Sequence, residues 1–152
     1  MPYYEDIEVG EVHHFGRYEI TREEIIEFAS RYDPQAFHLD DDAAKEGPFG
    51  ALAASGWMTA AVTMNMLVEG WIGHEGTSLG GAGVRELNWL RPVWPGDVLS
   101  VRAVVLEKRR SKARTGMGIL DQKIETLDAT GEPVMAMRTM GLVRTRDAAG
   151  RD

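Results

Sequence analysis

One stretch constrains this chain more than any other: Ala51 to Val68 runs 18 positions without a charged residue. A run that long and apolar is either a minimal membrane span or a helix buried in a protein core. Ser55, Gly56, Thr59, Thr63 and Asn65 interrupt it with small or polar groups, and segments bearing Lys and Glu flank it closely. The run therefore predicts a buried helix, about Ala53 to Trp71, in a soluble protein that does not enter a membrane. A buried helix needs other elements packed on it, so the rest of the chain must supply them.

The sequence after the run has the character of that cover. Val84–Leu90, Val98–Glu107, Gly118–Leu127 and Pro133–Thr145 are rich in Val, Ile, Leu and Met with partial two-residue alternation, which predicts strands. Arg91-Pro-Val-Trp-Pro-Gly-Asp reads as a turn-rich corner, and Asp128-Ala-Thr-Gly-Glu as a hairpin turn. Ahead of the run, Glu11–Ile20 predicts a short strand. Thr21-Arg-Glu-Glu then forms a capping box that starts a helix running to about Tyr32. Pro34 restricts Asp33 to extended backbone and stops it. Asp40 is placed to cap a short acidic helix that ends at Gly47-Pro48. No repeat of 20 to 50 residues is present. One strand, several helices and four strands predict a single α+β domain, a mostly antiparallel sheet packed on one helix, over residues 1–147. Residues 148–152 read as a flexible tail.

Charge and cysteine content narrow the function classes. A net charge of −7 disfavours nucleic acid as a partner, because a phosphate backbone needs a basic surface. With no cysteine, disulfide and thiolate chemistry are excluded. The N-terminal MPYYEDIEVGEV lacks the basic flank and apolar core of a signal peptide, so a cytoplasmic location is expected. His13, His14 and His74 have no metal-ligand spacing with carboxylates, and no metal site is expected.

The chemistry-bearing segment is "DPQAFH". Asp33 and His38 lie five positions apart on a helix exit and an irregular loop, where both can point into one cleft. An imidazole that titrates near neutrality beside a tunable carboxylate suits general acid–base work. The same spacing also fits a helix-terminal aspartate and a core histidine. Gly56 stands at the expected start of the apolar helix, where free N–H groups and the helix dipole favour negative charge on a carbonyl oxygen. Its small size equally allows close packing of helix on sheet. Spacing leaves both pairs of readings open.

The segment Phe28 to Trp57, "FASRYDPQAFHLDDDAAKEGPFGALAASGW", resembles the MaoC-like dehydratase family, which includes (R)-specific enoyl-CoA hydratases. The likeness extends to "RPVWPGD" at 91–97 and the closing strands. The resemblance implies a hot-dog fold, a curved antiparallel sheet wrapped round the long central helix, and homodimers whose sheets join edge to edge. It also implies that Asp33 and His38 are the catalytic pair and that the Gly56 N–H contributes to an oxyanion hole. Three positions depart from the family pattern: its Asn-Pro is Gln35-Ala36 here, and the residue before the helix glycine, often His, is Ser55.

The implied activity is reversible hydration of a 2-enoyl thioester to an (R)-3-hydroxyacyl thioester, within fatty acid metabolism, with coenzyme A part of the substrate and no other cofactor. Phe49, Ser55 and Trp57 are expected to line the substrate site. Lys108 to Arg114 carries five positive charges in seven residues. It reads as a solvated hairpin loop or as a clamp, through Arg109, Arg110, Lys112 and Arg114, for the phosphates of coenzyme A. Two alternatives accompany the hydratase reading. One is a thioesterase of the same fold, which would place a carboxylate on the central helix. The other is a non-catalytic acyl-thioester-binding subunit.

Overall fold

The computed structural model describes residues 1–148. The expected tail lies outside the described residues except for Ala148, which ends a short 3-10 turn from Arg146. The elements are β1 (Val12–Glu19), α1 (Arg22–Tyr32), α2 (Asp41–Glu46), α3 (Gly56–Leu67), β2 (Ser78–Trp89), β3 (Val98–Arg110), β4 (Met117–Leu127) and β5 (Pro133–Arg144). The five strands form one antiparallel sheet in the order β1-β3-β4-β5-β2. The result is the α+β hot-dog architecture, a curved sheet around a central helix.

Alternation along the strands builds the core. Leu99, Val101, Ala103 and Val105 of β3 are buried on one face and meet Leu120 and Ile124 of β4 and Met135 and Met137 of β5. Helix α3 sets Met58, Val62, Met66 and Leu67 against them. Within that contact the Thr63 and Thr126 hydroxyls lie 2.6 Å apart and pin the helix to β4. A buried hydroxyl left alone is costly, so this pair fixes helix position as well as filling space.

The apolar helix differs from expectation at both ends and on one side. It starts at Gly56 rather than Ala53, because Leu52 to Ser55 runs extended and the Ser55 hydroxyl caps the helix by accepting from the Trp57 N–H at 3.3 Å. It continues beyond Leu67 as a π-helical turn, Val68–Ile72. It is also not covered all round, since Trp57, Ala61 and Met64 form an exposed stripe. Among the described residues no helix is long and apolar enough to cross a membrane. Strand β2 begins six residues earlier than expected. Its Leu-Gly-Gly-Ala-Gly start lacks the apolar alternation that marks a strand, yet pairs with β5 through three register shifts. The capping box is present as predicted: Thr21 Oγ1 accepts from the Glu24 N–H at 3.2 Å, and the Glu24 carboxylate accepts from the Thr21 N–H at 3.3 Å.

Candidate active site

Local signals place the two titratable groups. Helix α1 ends with Asp33, whose N–H still donates to the Ala29 carbonyl while its own φ of −150° has left the helix. Pro34 follows, and Ala36–His38 makes a single 3-10 turn that brings the His38 ring back beneath Asp33. His38 Nε2 lies 3.5 Å from Asp33 Oδ2. The other ring nitrogen, Nδ1, is 2.7 Å from the Ala53 carbonyl oxygen. A carbonyl only accepts, so Nδ1 carries the proton, and in the neutral ring Nε2 is left with a lone pair directed to the carboxylate side. The ring itself is 5% exposed.

Three groups act on the Asp33 carboxylate. Ser55 Oγ donates to Oδ2 at 2.7 Å, and Gln35 Nε2 donates to Oδ1 at 2.7 Å. Burial pushes the Asp33 pKa up, but the Ser55 and Gln35 hydrogen bonds and the neighbouring His38 outweigh it and hold the carboxyl below its ordinary value. Asp33 is therefore ionised at neutral pH. Ser55 is fully buried and works in two directions, donating to Asp33 while accepting from the first turn of α3. It ties the carboxylate to the helix start.

The helix start is held from the other side by the turn-rich corner. The Ala54 N–H donates to the Val93 carbonyl at 2.8 Å, and the Trp94 N–H to Asp97 Oδ2 at 3.0 Å. Arg91 is engaged with Asp128 at 2.5 Å and the Pro92 carbonyl at 3.0 Å, which fastens the corner to the β4–β5 hairpin. Trp89 closes the arrangement. Its indole N–H donates to the Gly56 carbonyl at 2.8 Å, and its ring covers the Gly56 Cα so closely that a Cβ there would lie 2.4 Å from Trp89 Cε2. Gly56 is the first residue of α3, and its N–H is not spent on a hydrogen bond among the described residues.

Asp33, His38, Ser55 and Gly56 line a cavity of about 470 Å³. Phe49 and Trp57 line it as well. The Phe49 ring stacks toward His38 at 6.3 Å between centroids, and Trp57 meets Trp89 edge-on at 5.0 Å. The structure thus brings together six of the ten residues named from the sequence. The basic residues sit elsewhere. Arg109 and Arg110 belong to the end of β3, and Lys112 and Arg114 are exposed in the following turn. Arg110 pairs with Glu5 at 2.7 Å and Asp147 at 2.8 Å, while Lys108 donates to the Tyr4 and Ile7 carbonyls. None of the four lines the Asp33 cavity within one chain. The placement of Trp89, though not its candidacy as a pocket cap, and the carbonyls of Ala53 and Val93 were not legible in the sequence, because their roles depend on contacts across 15 to 39 positions with no local pattern.

Comparison with known proteins agrees with this fold. The family described as "MaoC like domain" matches residues 7–126. The crystal structure of a MaoC-like dehydratase from Rhodospirillum rubrum superimposes with a TM-score of 0.88 at 40% identity, covering 96% of this chain and 99% of that one. The unliganded R-hydratase PhaJ1 from Pseudomonas aeruginosa shares the fold, with a TM-score of 0.70 at 22% identity over 95% of this chain and 86% of that one. Uncharacterized protein YdeM of Bacillus subtilis is 28% identical over 123 residues, covering 80% of this chain and 84% of the relative. Sequence match and fold agree: this chain belongs to the MaoC-like domain family.

Proposed function

We propose that the protein is a hydratase/dehydratase that reversibly adds water to a 2-enoyl thioester, giving an (R)-3-hydroxyacyl thioester. One observation carries the reading: two hydrogen-bond acceptors, Asp33 Oδ2 and the lone pair of His38 Nε2, converge 3.5 Å apart beside the unspent N–H of a helix start. Two acceptors aimed at one place call for a molecule with two donors, and water is the smallest. As the water oxygen bonds to C3, Asp33 takes one of its protons. The C2–C3 electron pair moves toward the thioester oxygen, where the Gly56 N–H and the positive end of α3 stabilise the enolate. The proton then passes through His38 Nε2 to C2. The hydroxyl and the hydrogen of one water end on adjacent carbons, and the enzyme is restored.

The same helix bears on the rival activity. Gly56–Leu67 contains no carboxylate, so the thioesterase alternative lacks its expected acid on α3. A homodimer is part of the proposal. Strand β2 is a sheet edge exposed along almost its whole length, and the stripe of Trp57, Ala61 and Met64 beside it offers apolar area to a second copy. The coenzyme A moiety would be held by Arg109, Arg110, Lys112 or Arg114 of such a copy.

The test follows the loss of conjugated enoyl absorbance with crotonyl-CoA and longer 2-enoyl-CoA thioesters. Asp33→Asn and His38→Ala should each lower kcat by about 10²-fold or more, the usual contribution of a positioned acid–base group. Wild-type protein inactive on every chain length, or as active as Asp33→Asn, would overturn the proposal.

A further inference from the structure

Three polar residues in the wall of the Asp33 cavity are more than nine-tenths buried: His38, Ser55 and Thr59. Two of them are engaged. His38 gives its Nδ1 proton to the Ala53 carbonyl, and Ser55 Oγ donates to Asp33 while accepting from the Trp57 N–H. Ala54, Val93 and Val134 make the rest of the buried wall apolar. Thr59, 2% exposed, is the exception: its hydroxyl has no hydrogen-bond partner among the described residues, although its carbonyl accepts from Thr63 Oγ1 at 2.7 Å.

The free hydroxyl has a local cause. A buried helical threonine commonly gives its proton to the carbonyl one turn back, as Thr63 does to Thr59. For Thr59 that carbonyl belongs to Ser55, which already accepts from the Met58 N–H at 3.0 Å and the Thr59 N–H at 3.2 Å. Sealed, unpaired polar atoms do occur in this chain, among them Gln122 Nε2 and Trp71 Nε1, but Thr59 Oγ1 is not one of them. It keeps contact with open space, and the space that Thr59 borders is this cavity. The other side-chain donors in the wall are spent or lie at the surface. Gln35 donates to Asp33, Trp89 to the Gly56 carbonyl, and Arg91 to Asp128 and the Pro92 carbonyl, while Trp57 is 59% exposed.

We propose that Thr59 is the third partner of the reacting water, donating from Oγ1 to a lone pair on its oxygen. The proposal rests on the hydration reading above and adds a residue to it. Thr59 follows Ser55 by one turn on the same face of α3, which puts their Cβ atoms about 5–6 Å apart. Ser55 Oγ touches Asp33 Oδ2 at 2.7 Å, so a water seated on Oδ2 closes the remaining gap with ordinary hydrogen-bond lengths. A water that directs its protons to Asp33 Oδ2 and His38 Nε2 has two lone pairs left. Thr59 occupies one, and the other alone is free to bond C3, which fixes the direction of attack. Thr59 transfers no proton. Its hydroxyl dipole stabilises the negative charge that grows on the oxygen as Asp33 withdraws a proton, and in the reverse reaction it holds the same oxygen as the C3–O bond breaks.

Thr59→Val exchanges the hydroxyl for a methyl group of the same shape. No protein group loses a partner, so Tm should not fall. With 2-enoyl-CoA thioesters kcat should drop about tenfold or more while KM stays nearly constant, and Thr59→Ser, which restores the donor, should recover most of the rate. Thr59→Val as fast as wild type overturns the proposal, and so does Thr59→Ser no faster than Thr59→Val. The water is also read without turnover. A crystal structure of the unliganded wild-type protein should show a water within hydrogen-bond distance of Asp33 Oδ2, His38 Nε2 and Thr59 Oγ1, and Thr59→Val should lose or displace it. A water held by Asp33 and His38 but out of reach of Thr59 overturns the proposal. If wild type turns over no enoyl thioester, the hydration reading falls and the ordered water alone decides whether Thr59 is its partner. Turnover that Thr59→Val leaves unchanged removes Thr59 and keeps the hydration reading.

Discussion

Gly56→Ala tests how the helix start is held. A Cβ at this position would lie 2.4 Å from Trp89 Cε2 and 2.6 Å from Trp89 Nε1, well inside contact distance, so something must move. If the ring stays, the overlap costs about 1–3 kcal/mol. Trp89 is 45% exposed and can instead swing outward. It then loses its bond to the Gly56 carbonyl and its edge contact with Trp57, each worth about 0.5–1.5 kcal/mol. Both routes arrive at a similar loss. Alanine's better helix propensity returns at most about 1 kcal/mol. The net destabilisation is about 1–2 kcal/mol, a fall in Tm of about 2–8 °C for a domain of this size. Because the first turn of α3 re-aims its N–H, kcat with an enoyl thioester should fall about tenfold or more. The decisive assay is the double-mutant cycle with Trp89→Ala, by thermal unfolding at fixed protein concentration. Without the indole there is nothing to collide with and no bond to lose, so Gly56→Ala should become neutral or slightly stabilising. An equal cost in both backgrounds would refute the reasoning.

Ser55→Ala should act on both of the hydroxyl's partners. Losing the N-cap costs about 0.5–2 kcal/mol of stability, and losing the donor lets the Asp33 pKa rise toward its ordinary value, since that bond is the strongest influence lowering it. The acid limb of the kcat/KM profile should therefore move to higher pH, and an unmoved limb would remove Asp33 from the base role. Stability follows the same sign. A depressed folded-state pKa stabilises above the unfolded-state value and stops doing so as pH falls through the folded one. The advantage of wild type over Ser55→Ala should accordingly be largest near neutrality and narrow in acid. In the core, Thr63→Val leaves the Thr126 hydroxyl buried and alone, which should cost about 1–3 kcal/mol by urea unfolding, while the Thr63→Val/Thr126→Val double variant should recover most of the loss. A double variant as unstable as the sum of the singles would show that the two hydroxyls act independently.

Much of the frame was legible because it depends on near neighbours in the chain. The Thr21–Glu24 box, the Pro34 stop, the Asp40 cap and the strand alternation of β3, β4 and β5 each arise within a few positions. The five-residue spacing of Asp33 and His38 belongs to the same class, and so does the apolar run that became α3. Where local pattern failed, a tertiary contact replaced it. The glycine-rich start of β2 is a strand only because β5 lies beside it, and the first residues of the apolar run stay extended because Val93 and His38 take the Ala54 N–H and the Ala53 carbonyl.

The sequence by itself determined where a candidate acid–base pair would fall and that one helix would lie under a sheet, since residue type and period carry that information. Tertiary structure alone decided how those groups are used. The His38 tautomer is set by a carbonyl 15 positions away, and a serine 22 positions away helps to hold the Asp33 carboxyl below its ordinary value. The Gly56 carbonyl is held by a tryptophan 33 positions away. That Thr59 borders the same cavity as Asp33 and His38 is likewise a fact of packing. Each depends on distance and direction between residues far apart in the chain, and periodicity encodes neither.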